Sequence, residues 1–306
     1  MIAANPAIEV TGLRKTYDTL EAVAGIDLRV ERGEVFALLG PNGAGKTTAV
    51  EILEGHRTRS AGEVSVLGFD PGNSETAFKQ RIGIVLQESG VDPYLTVEET
   101  LDLFRSYYPR PRPREELLRL VGLEEQRGMR VLKLSGGQQR RLDVAVGLAG
   151  DPDLLFLDEP TTGFDPAARH SAWEMVRDLQ KLGKTIFLTT HYMEEAEVLA
   201  NRVAIIRRGV IVAEGTPGSL VEKDPLTTIR YRLTEDDASL VSGIEGVQQL
   251  PDGMTEMKTL TPTATLAVLT SRAAERGVEL VELTVTRPTL EDTYLRLVGE
   301  EGAVVE

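Results

Sequence analysis

The sequence contains no cysteine, and it has only three histidines among its 306 residues. Without thiols the chain can form no disulfide, use no cysteine nucleophile and bind no zinc through cysteine. It also lacks any run of about 18 consecutive apolar residues, so no membrane-spanning helix is predicted. The first residues show no basic segment followed by an apolar stretch of signal-peptide length. We therefore expect a soluble, cytoplasmic protein.

Positive charge is also scarce. Lys and Arg number 34 against 48 Asp and Glu, which gives a net charge of -14. A surface of this sign would repel nucleic acid and anionic lipid, so we expect neither to be bound directly. Any attachment to a membrane is expected to depend on a protein partner.

Short apolar runs alternate with longer helical patterns over the first two thirds of the chain. Four runs predict buried parallel strands, hydrophobic on both faces: "EVFALL" (34–39), "RIGIVLQ" (81–87), "DLLFLD" (153–158) and "KTIFLTTH" (184–191). Between the second and third of these the pattern is helical, in "TVEETLDLFRSYY", "REELLRLVGL" and "GGQQRRLDVAVGLAG". The fold class predicted is therefore α/β, with an α-helical insertion at about residues 90–150.

The composition changes after residue 220. The remaining chain carries 16 Asp and Glu against 8 Lys and Arg. It contains strand-like "LTTIRYRL" and "VELVELTVT" and helix-like "TATLAVLTSRAAERG" and "PTLEDTYLRLVGE". We predict two domains, an α/β domain over residues 1–220 and a small acidic α+β domain over residues 221–306.

The stretch "GPNGAGKTT" (40–48) follows the first predicted strand and precedes a helical segment. Gly40, Gly45, Lys46 and Thr47 match the phosphate-binding pattern G-x-x-x-x-G-K-[ST]. Glycines let the backbone N–H groups turn around the phosphates, and the helix presents its positive end to them. Lys46 is expected to reach the β- and γ-phosphates, and Thr47 to bind magnesium. An ordinary glycine-rich turn is the alternative, but the flanking strand and helix favour phosphate binding.

The third strand ends in "LLFLDEP" (154–160), with Asp158 and Glu159 at its carboxyl end. Ligands of open α/β sheets bind at this edge. We expect Asp158 to hold magnesium, directly or through water, and Glu159 to orient and deprotonate the attacking water. Such a pair alone is more often structural, and its pairing with a phosphate loop makes the catalytic interpretation preferable.

The stretch "LSGGQQRR" (134–141) predicts a second helix whose N-terminus could bind an anion. Ser135 is a suitable N-cap, and Gly136 and Gly137 expose backbone N–H groups. Since one loop already surrounds a phosphate, this second site suggests a nucleotide held by another copy of the chain. A capped helix with a glycine-rich start and no ligand remains the alternative.

Taken together, these stretches resemble the ATP-binding subunit of an ABC transporter. "GPNGAGKT" is similar to the family's Walker A loop, "LLFLDE" to its Walker B strand and "LSGGQ" to its signature. "TTGFD" (161–165) resembles its D-loop and "TTHYMEEAE" (189–197) its switch-histidine region. Gln87 stands where the family has its Q-loop glutamine, and Tyr17 where an aromatic ring stacks on adenine. The resemblance covers residues 8–220.

The resemblance implies a P-loop ABC-type ATPase domain that uses ATP and Mg²⁺. The implied catalytic residues are Lys46, Glu159 and His191, the last of which contacts the γ-phosphate. Magnesium would be held by Thr47, Gln87 and Asp158, and Asp165 would reach across a dimer interface. The implied nucleotide-binding residues are Tyr17, Gly40, Asn42, Gly43, Gly45, Lys46, Thr47, Thr48, Gln87, Ser135, Gly137, Gln138, Asp158 and Asp165.

The stretch "TRPTLEDTYLRLVG" (286–299) resembles the tail of ATPases that serve ABC-2 type exporters, including the daunorubicin exporter group. The expected partners are therefore ABC-2 type transmembrane permease subunits and a second ATPase subunit, most simply a second copy. The chain would lie peripherally on the inner face of the cell membrane, and residues 221–306 would regulate or stabilise the dimer. An ordinary amphipathic helix is the alternative reading of this tail.

Other functions remain open at this level. A soluble ABC-type ATPase acting on DNA or the ribosome would share the same motifs, although the acidic charge and the lack of long coiled-coil insertions argue against it. An importer ATPase differs mainly in its membrane partner. A nucleotide sensor without turnover is disfavoured because Lys46, Asp158, Glu159 and His191 are all present.

Overall fold

The computed structural model describes residues 5–86, 90–222, 226–233, 238–241, 243, 244 and 246–299. The chain divides into two compact units, Met1–Pro217 and Gly218–Glu306. Gln87 lies outside the described residues, so its predicted role is not addressed by the structure.

Within the described part of the chain, the first unit contains nine strands and seven α-helices, and an eighth α-helix begins at its last residue and continues into the second unit. The strands are β1 (Ile8–Tyr17), β2 (Leu20–Val30), β3 (Val35–Leu39), β4 (Ala61–Val66), β5 (Ile82–Val85), β6 (Leu154–Asp158), β7 (Thr185–Thr190), β8 (Arg202–Arg207) and β9 (Val210–Gly215). The helices are α1 (Lys46–Leu53), α2 (Thr76–Lys79), α3 (Val97–Arg105), α4 (Arg114–Val121), α5 (Gly136–Gly147), α6 (Pro166–Lys181), α7 (Met193–Leu199) and α8 (Pro217–Glu222), whose first residue ends this unit.

A six-stranded sheet forms the centre of this unit, in the order β5-β6-β7-β3-β8-β9. The four predicted strands correspond to β3, β5, β6 and β7, and they pair in parallel as expected. All five residues of β3 and all six of β7 are buried, because helices and a second sheet cover both faces. The predicted α/β architecture is confirmed.

A second, antiparallel sheet of order β2-β1-β4 was not predicted from the sequence. One hydrophobic core joins it to α1 and to the central sheet, with Ile8, Val50 and Phe36 among its buried members. This packing brings the hairpin between β1 and β2 next to the loop that follows β3.

The predicted helical insertion is present as α3, α4 and α5. Among the described residues between β5 and β6, the only pairing of strand type is an isolated bridge between Thr96 and Arg130. The end of α5 packs closely on β5, since a Cβ on Gly83 would lie 2.2 Å from the carbonyl oxygen of Gly147. The helix that starts at the signature therefore rests directly on the central sheet.

The second unit contains an antiparallel sheet of order β11-β12-β10-β13, with its own small core. Its elements are β10 (Thr227–Leu233), β11 (Val247–Gln249), β12 (Met254–Thr259), α9 (Pro262–Arg276), β13 (Leu280–Thr286) and α10 (Leu290–Gly299). The sequence predicted β10, α9, β13 and α10, whereas β11 and β12 are short and polar and were missed. Helix α9 packs on the sheet through Leu269, against Ile229, Tyr231 and Met257.

Over the residues that the structure describes, none of the helices combines the length and the apolar character needed to cross a bilayer.

Candidate functional site

Two positions in the loop between β3 and α1 have no room for any residue other than glycine. A Cβ on Gly40 would lie 2.5 Å from the carbonyl oxygen of Ile206, and one on Gly45 would lie 2.3 Å from that of Ala22. Gly45 also has a φ of +104°, which side chains other than glycine rarely adopt. The two glycines of the phosphate-loop pattern are therefore required by close backbone approach.

Lys46 is buried beneath this loop, with 7% of its surface exposed. Its Nζ donates hydrogen bonds to the carbonyl oxygens of Gly40, at 2.7 Å, and Pro41, at 3.1 Å. Burial lowers the pKa of Lys46, while the nearby carboxylates of Glu159 and Asp158 act in the opposite direction. Two of the three N–H donors of the ammonium are thus satisfied by the loop itself.

A cavity of about 360 Å³ opens beside the loop. Nine of the predicted nucleotide and catalytic residues line it together with Leu20 and Ala22, which were not predicted. The nine are Tyr17, Asn42, Gly43, Gly45, Lys46, Thr47, Thr48, Asp158 and Glu159. The hairpin between β1 and β2 places Tyr17, Leu20 and Ala22 on one wall of the cavity. Recognising this hairpin in the sequence would have predicted Leu20 and Ala22 as lining residues.

Tyr17 ends β1, and two cations lie close to its ring. The Nζ of Lys15 lies 5.0 Å from the ring centroid and the guanidinium of Arg57 lies 5.3 Å from it. Cations at this distance interact favourably with an aromatic face. They help to fix the ring at the cavity wall.

Thr47 and Asp158 supply a hydroxyl and a carboxylate oxygen to the same cavity. Oxygen donors of this kind suit Mg²⁺, which prefers hard ligands and keeps several waters. The donor set therefore fits the magnesium ion that the sequence implied. Asp158 is oriented by Thr189, whose Oγ1 donates a hydrogen bond to Asp158 Oδ1.

Glu159 has an unusual backbone conformation. Its φ is +44°, in the left-handed region that glycine favours. Its N–H lies 3.1 Å from the carbonyl oxygen of Thr189 and 3.2 Å from Thr189 Oγ1. Strained residues persist where several contacts hold them, and they are concentrated at functional sites.

The carboxylate of Glu159 is held by two side chains. His191 Nδ1 lies 3.2 Å from Glu159 Oε1, and Thr162 Oγ1 donates to Oε2 at 3.1 Å. Glu159 is largely buried, whereas His191 is 40% exposed. The structure thus brings the predicted base and the predicted switch histidine into direct contact.

Sequence reasoning missed Arg140, the first arginine after the signature glutamines. Its guanidinium is buried, and it donates to the carbonyl oxygens of Asp158 at 2.8 Å, Pro160 at 3.2 Å and Leu86. Burial lowers the pKa of Arg140, and the nearby carboxylates of Asp143, Asp158 and Glu195 oppose that shift. In the sequence, Arg140 is one charged residue within a helical pattern, and this alone does not predict that its side chain binds the carbonyls around Glu159.

Glu195 is a second buried charge that the sequence did not reveal. It is fully buried on α7 and accepts hydrogen bonds from Thr161 Oγ1 at 2.9 Å and from Trp173 Nε1 at 3.2 Å. Burial raises its pKa. Glu195 thereby connects the start of the "TTGFD" loop to the helix that follows His191.

The signature residues lie at a different cavity, of about 230 Å³. Ser135, Gly137 and Gln138 line it with Arg140, Arg141, Phe164 and residues of α6, and none of them lines the first cavity. Ser135 and Gln138 cap α5 reciprocally, as the N-cap prediction required. Asp165 caps α6 through the N–H of Ala168, at 2.9 Å.

Comparison with known proteins matches residues 23–162 to the family model described as ABC transporter. The chain is 37% identical to the Nod factor export ATP-binding protein I of Ralstonia nicotianae, over 98% of this chain and 96% of that protein. It is 37% identical to the Daunorubicin resistance ATP-binding protein DrrA3 of Streptomyces coeruleorubidus, over 99% of both chains. A solved dimeric ATP-binding cassette in a post-hydrolysis state with ADP and Pi superimposes with a TM-score of 0.61 at 25% identity, covering 68% of this chain and 98% of that one.

The similarity to the two named relatives spans both units, since it covers 98% and 99% of this chain, and the structural match has the same cassette fold. The predicted family and P-loop fold are confirmed. The chain belongs to the ABC transporter family, in which it is an ATP-binding subunit that hydrolyses ATP.

Proposed function

We propose that this ATPase powers export through separate ABC-2 type permease subunits at the inner face of the cell membrane. The observation that carries the proposal is the near full-length similarity to two proteins named for Nod factor export and daunorubicin resistance. If the chain shared only its ATP-binding cassette with its relatives, as importer ATPases would, the similarity would be limited to the first unit. Similarity that continues through the second unit favours the export group.

ATP would occupy the cavity beside the phosphate loop. Tyr17 would stack on the adenine, supported by Lys15 and Arg57 at its ring. The backbone N–H groups of the loop and the start of α1 would hold the phosphates. Lys46 would direct its third N–H to the β- and γ-phosphates while the loop carbonyls hold its position.

Magnesium would be held by Thr47, Asp158 and Gln87. When bound, the ion neutralises charge on the β- and γ-phosphate oxygens. The chain itself would orient these ligands: Thr189 positions Asp158, and α1 begins at Lys46, beside Thr47.

Hydrolysis would depend on Glu159. Its carboxylate would take a proton from a water whose oxygen attacks the γ-phosphorus, while the bond to the bridging β-γ oxygen breaks and ADP leaves. His191, with its proton on Nδ1, would donate to Glu159 Oε1 and keep the carboxylate aimed at that water. Thr162 would restrain the other oxygen.

Two copies would cooperate in each reaction. The signature cavity of one copy, with Ser135, Gly137 and Gln138, would bind the γ-phosphate of the nucleotide held by the other. Asp165 would lie at the interface between them. Residues 221–306 would stabilise or regulate this pair.

The assignment of Glu159 is tested by Glu159→Gln, an isosteric change that removes the base. We expect multiple-turnover ATP hydrolysis to fall by about 100-fold or more, while the affinity for ATP is kept, because the phosphate loop is intact. Glu63→Gln, at an exposed position of β4, serves as the matched control. Turnover that survives in Glu159→Gln would show that another group is the base.

The transport assignment is tested by isolating tagged protein from detergent-solubilised host membranes, with and without Mg-ATP. We expect a membrane protein with about six transmembrane helices per subunit to be recovered with it. Recovery of ribosomes or nucleic-acid factors in its place would favour a soluble ABC-type ATPase and contradict the export proposal.

A further inference from the structure

We infer that Arg140 is a positioning residue for ATP hydrolysis, which holds the backbone of Glu159 in its strained conformation from the signature helix of the same chain. The inference rests on the proposed function in one respect, namely that Glu159 is the general base. It adds a residue outside the phosphate loop and the Walker B strand to the hydrolytic machinery.

The hydrogen bonds of Arg140 enclose Glu159 on both sides along the chain. Nη2 donates to the carbonyl oxygen of Asp158 at 2.8 Å, and Nε donates to that of Pro160 at 3.2 Å. These are the residues immediately before and after Glu159. The first contact restrains the peptide group between Asp158 and Glu159, on which the φ angle of Glu159 depends, and the second restrains the peptide group that follows Pro160.

The sheet restrains Glu159 from another direction. Its N–H points to Thr189, which is one residue short of the end of β7. Thr189 and Arg140 hold the N–H and the carbonyl of the same peptide group, between Asp158 and Glu159, so a φ of +44° can persist at a residue that would otherwise relax. The two sets of contacts over-determine the direction in which the carboxylate leaves the backbone.

Arginine is required at this position by the number and spread of the acceptors. Its third contact, through Nη1, reaches the carbonyl oxygen of Leu86, just before Gln87. A planar guanidinium carries five N–H donors in a fixed fork and can serve three carbonyls at once. A lysine ammonium places all its donors on one atom at the end of a flexible stem. It keeps the charge but loses this geometry.

The position of Arg140 on α5 connects the base to the signature. It lies five residues after Ser135, the N-cap of the same helix. At about 1.5 Å of rise per residue this is less than two helical turns, so both move with one rigid element. The placement of Glu159 therefore depends on α5 as well as on its own strand.

The direct test compares Arg140→Lys with the wild type in steady-state ATP hydrolysis. We expect kcat to fall by about ten- to a hundredfold, because small misplacements of a catalytic group have effects of this size. The KM for ATP and the half-saturating Mg²⁺ concentration should each stay within about twofold, since the phosphate loop and the Asp158 side chain are unchanged. Arg59→Lys is the matched control, because Arg59, like Arg140, donates to a backbone carbonyl, but it is not among the residues that line the cavity.

The double variant Arg140→Lys/Glu159→Gln decides whether Arg140 acts through Glu159. If it does, adding Arg140→Lys to Glu159→Gln should change the residual hydrolysis rate by less than about twofold, as for residues that act as one unit. Additive losses would overturn the inference, because they would give Arg140 a separate role at the signature cavity that it lines. A shift in the Mg²⁺ requirement would also overturn it, because the effect would then act through a proposed magnesium ligand, either Asp158 or Gln87, which follows Leu86. A kcat of Arg140→Lys equal to that of Arg59→Lys would also overturn it.

The same series separates this inference from the function on which it rests. If Glu159→Gln alone leaves turnover intact, the base assignment fails, whatever Arg140→Lys does. If Glu159→Gln abolishes turnover and Arg140→Lys does not lower it, only the inference fails. Thermal unfolding of each variant shows whether it is folded. If Arg140→Lys does not fold, Arg140→Gln, which keeps a smaller planar donor, is used in its place.

Discussion

At the scale of single residues, Glu54 is the buried carboxyl whose ionisation is most clearly shifted among the groups described. It is the C-cap of α1, directly after Leu53, with 3% of its surface exposed. Burial raises its pKa from 4.5 to about 8, with further contributions from Asp158 and Glu51. His56 Nδ1 lies 3.4 Å from Glu54 Oε2. That imidazole is more than half exposed, so it does not offset the burial of the carboxyl.

The pH dependence of stability follows from the direction of this shift. Between pH 4.5 and about 8 the folded protein keeps a proton on Glu54 that the unfolded chain has released. The free energy of unfolding therefore falls as pH rises through this window and levels off above it. Glu54→Gln removes this pH-dependent contribution. In nucleotide-free protein, the free energy of unfolding of the variant minus that of the wild type should therefore be larger at pH 9 than at pH 5, by about 1 to 4 kcal/mol. Urea unfolding at both pH values measures this, and parallel pH profiles for the two proteins would contradict it.

At the scale of elements, two helices of the insertion begin with the same capping arrangement but are expected to serve different ends. In α3, Thr96 and Glu99 cap each other, and in α5, Ser135 and Gln138 do so. Because α5 continues with Gly136 and Gly137, which disfavour helix, its start depends strongly on the cap. The same serine lines the signature cavity.

Replacing each cap by alanine separates the structural role from the functional one. Thr96→Ala and Ser135→Ala should each lower the free energy of unfolding by about 1 kcal/mol, as the loss of an N-cap does. Only Ser135→Ala should also lower ATP hydrolysis, because only that cap is proposed to meet a nucleotide. Chemical denaturation and steady-state ATPase assays measure the two effects. Equal hydrolysis by the two variants would argue against a nucleotide at the signature.

At the scale of the whole molecule, the chain has two units, and each has a core of its own. Every described residue proposed to touch nucleotide lies between Tyr17 and His191, in the first unit. A chain ending at residue 222 should therefore bind ATP with an affinity within about threefold of the full chain. Titration calorimetry measures this, with thermal unfolding as the check that the shorter chain is folded. Loss of ATP binding by a folded shorter chain would contradict the assignment of the site to one unit.

The same shortened chain tests the proposed role of residues 221–306. If they stabilise the pair, the specific activity of the shortened chain should need a higher protein concentration to reach its plateau. Hydrolysis measured over a range of protein concentrations shows this. If the specific activity of the shortened chain depends on protein concentration in the same way as that of the full chain, the second unit does not contribute to dimerisation.

Local chemistry was enough to predict much of this protein. The parallel strands are uniformly apolar runs, and the phosphate loop, the acidic strand end and the signature are contiguous stretches whose glycines and charges act through neighbouring backbone. The short strands β11 and β12 were missed because polar residues interrupt their pattern. The sheet of β1, β2 and β4 was missed because polar and charged residues interrupt its strands and because β4 pairs with β1 from a distant part of the chain.

Long-range contacts decided the remaining features of the site. Leu20 and Ala22 reach the cavity only because a hairpin packs against the loop after β3. Arg140 meets the carbonyls on either side of Glu159, 18 and 20 residues further along the chain. Thr189 meets the Glu159 N–H from 30 residues away. No periodicity in the sequence encodes such approaches. They arise when a helix end and two strand ends converge at one edge of a sheet.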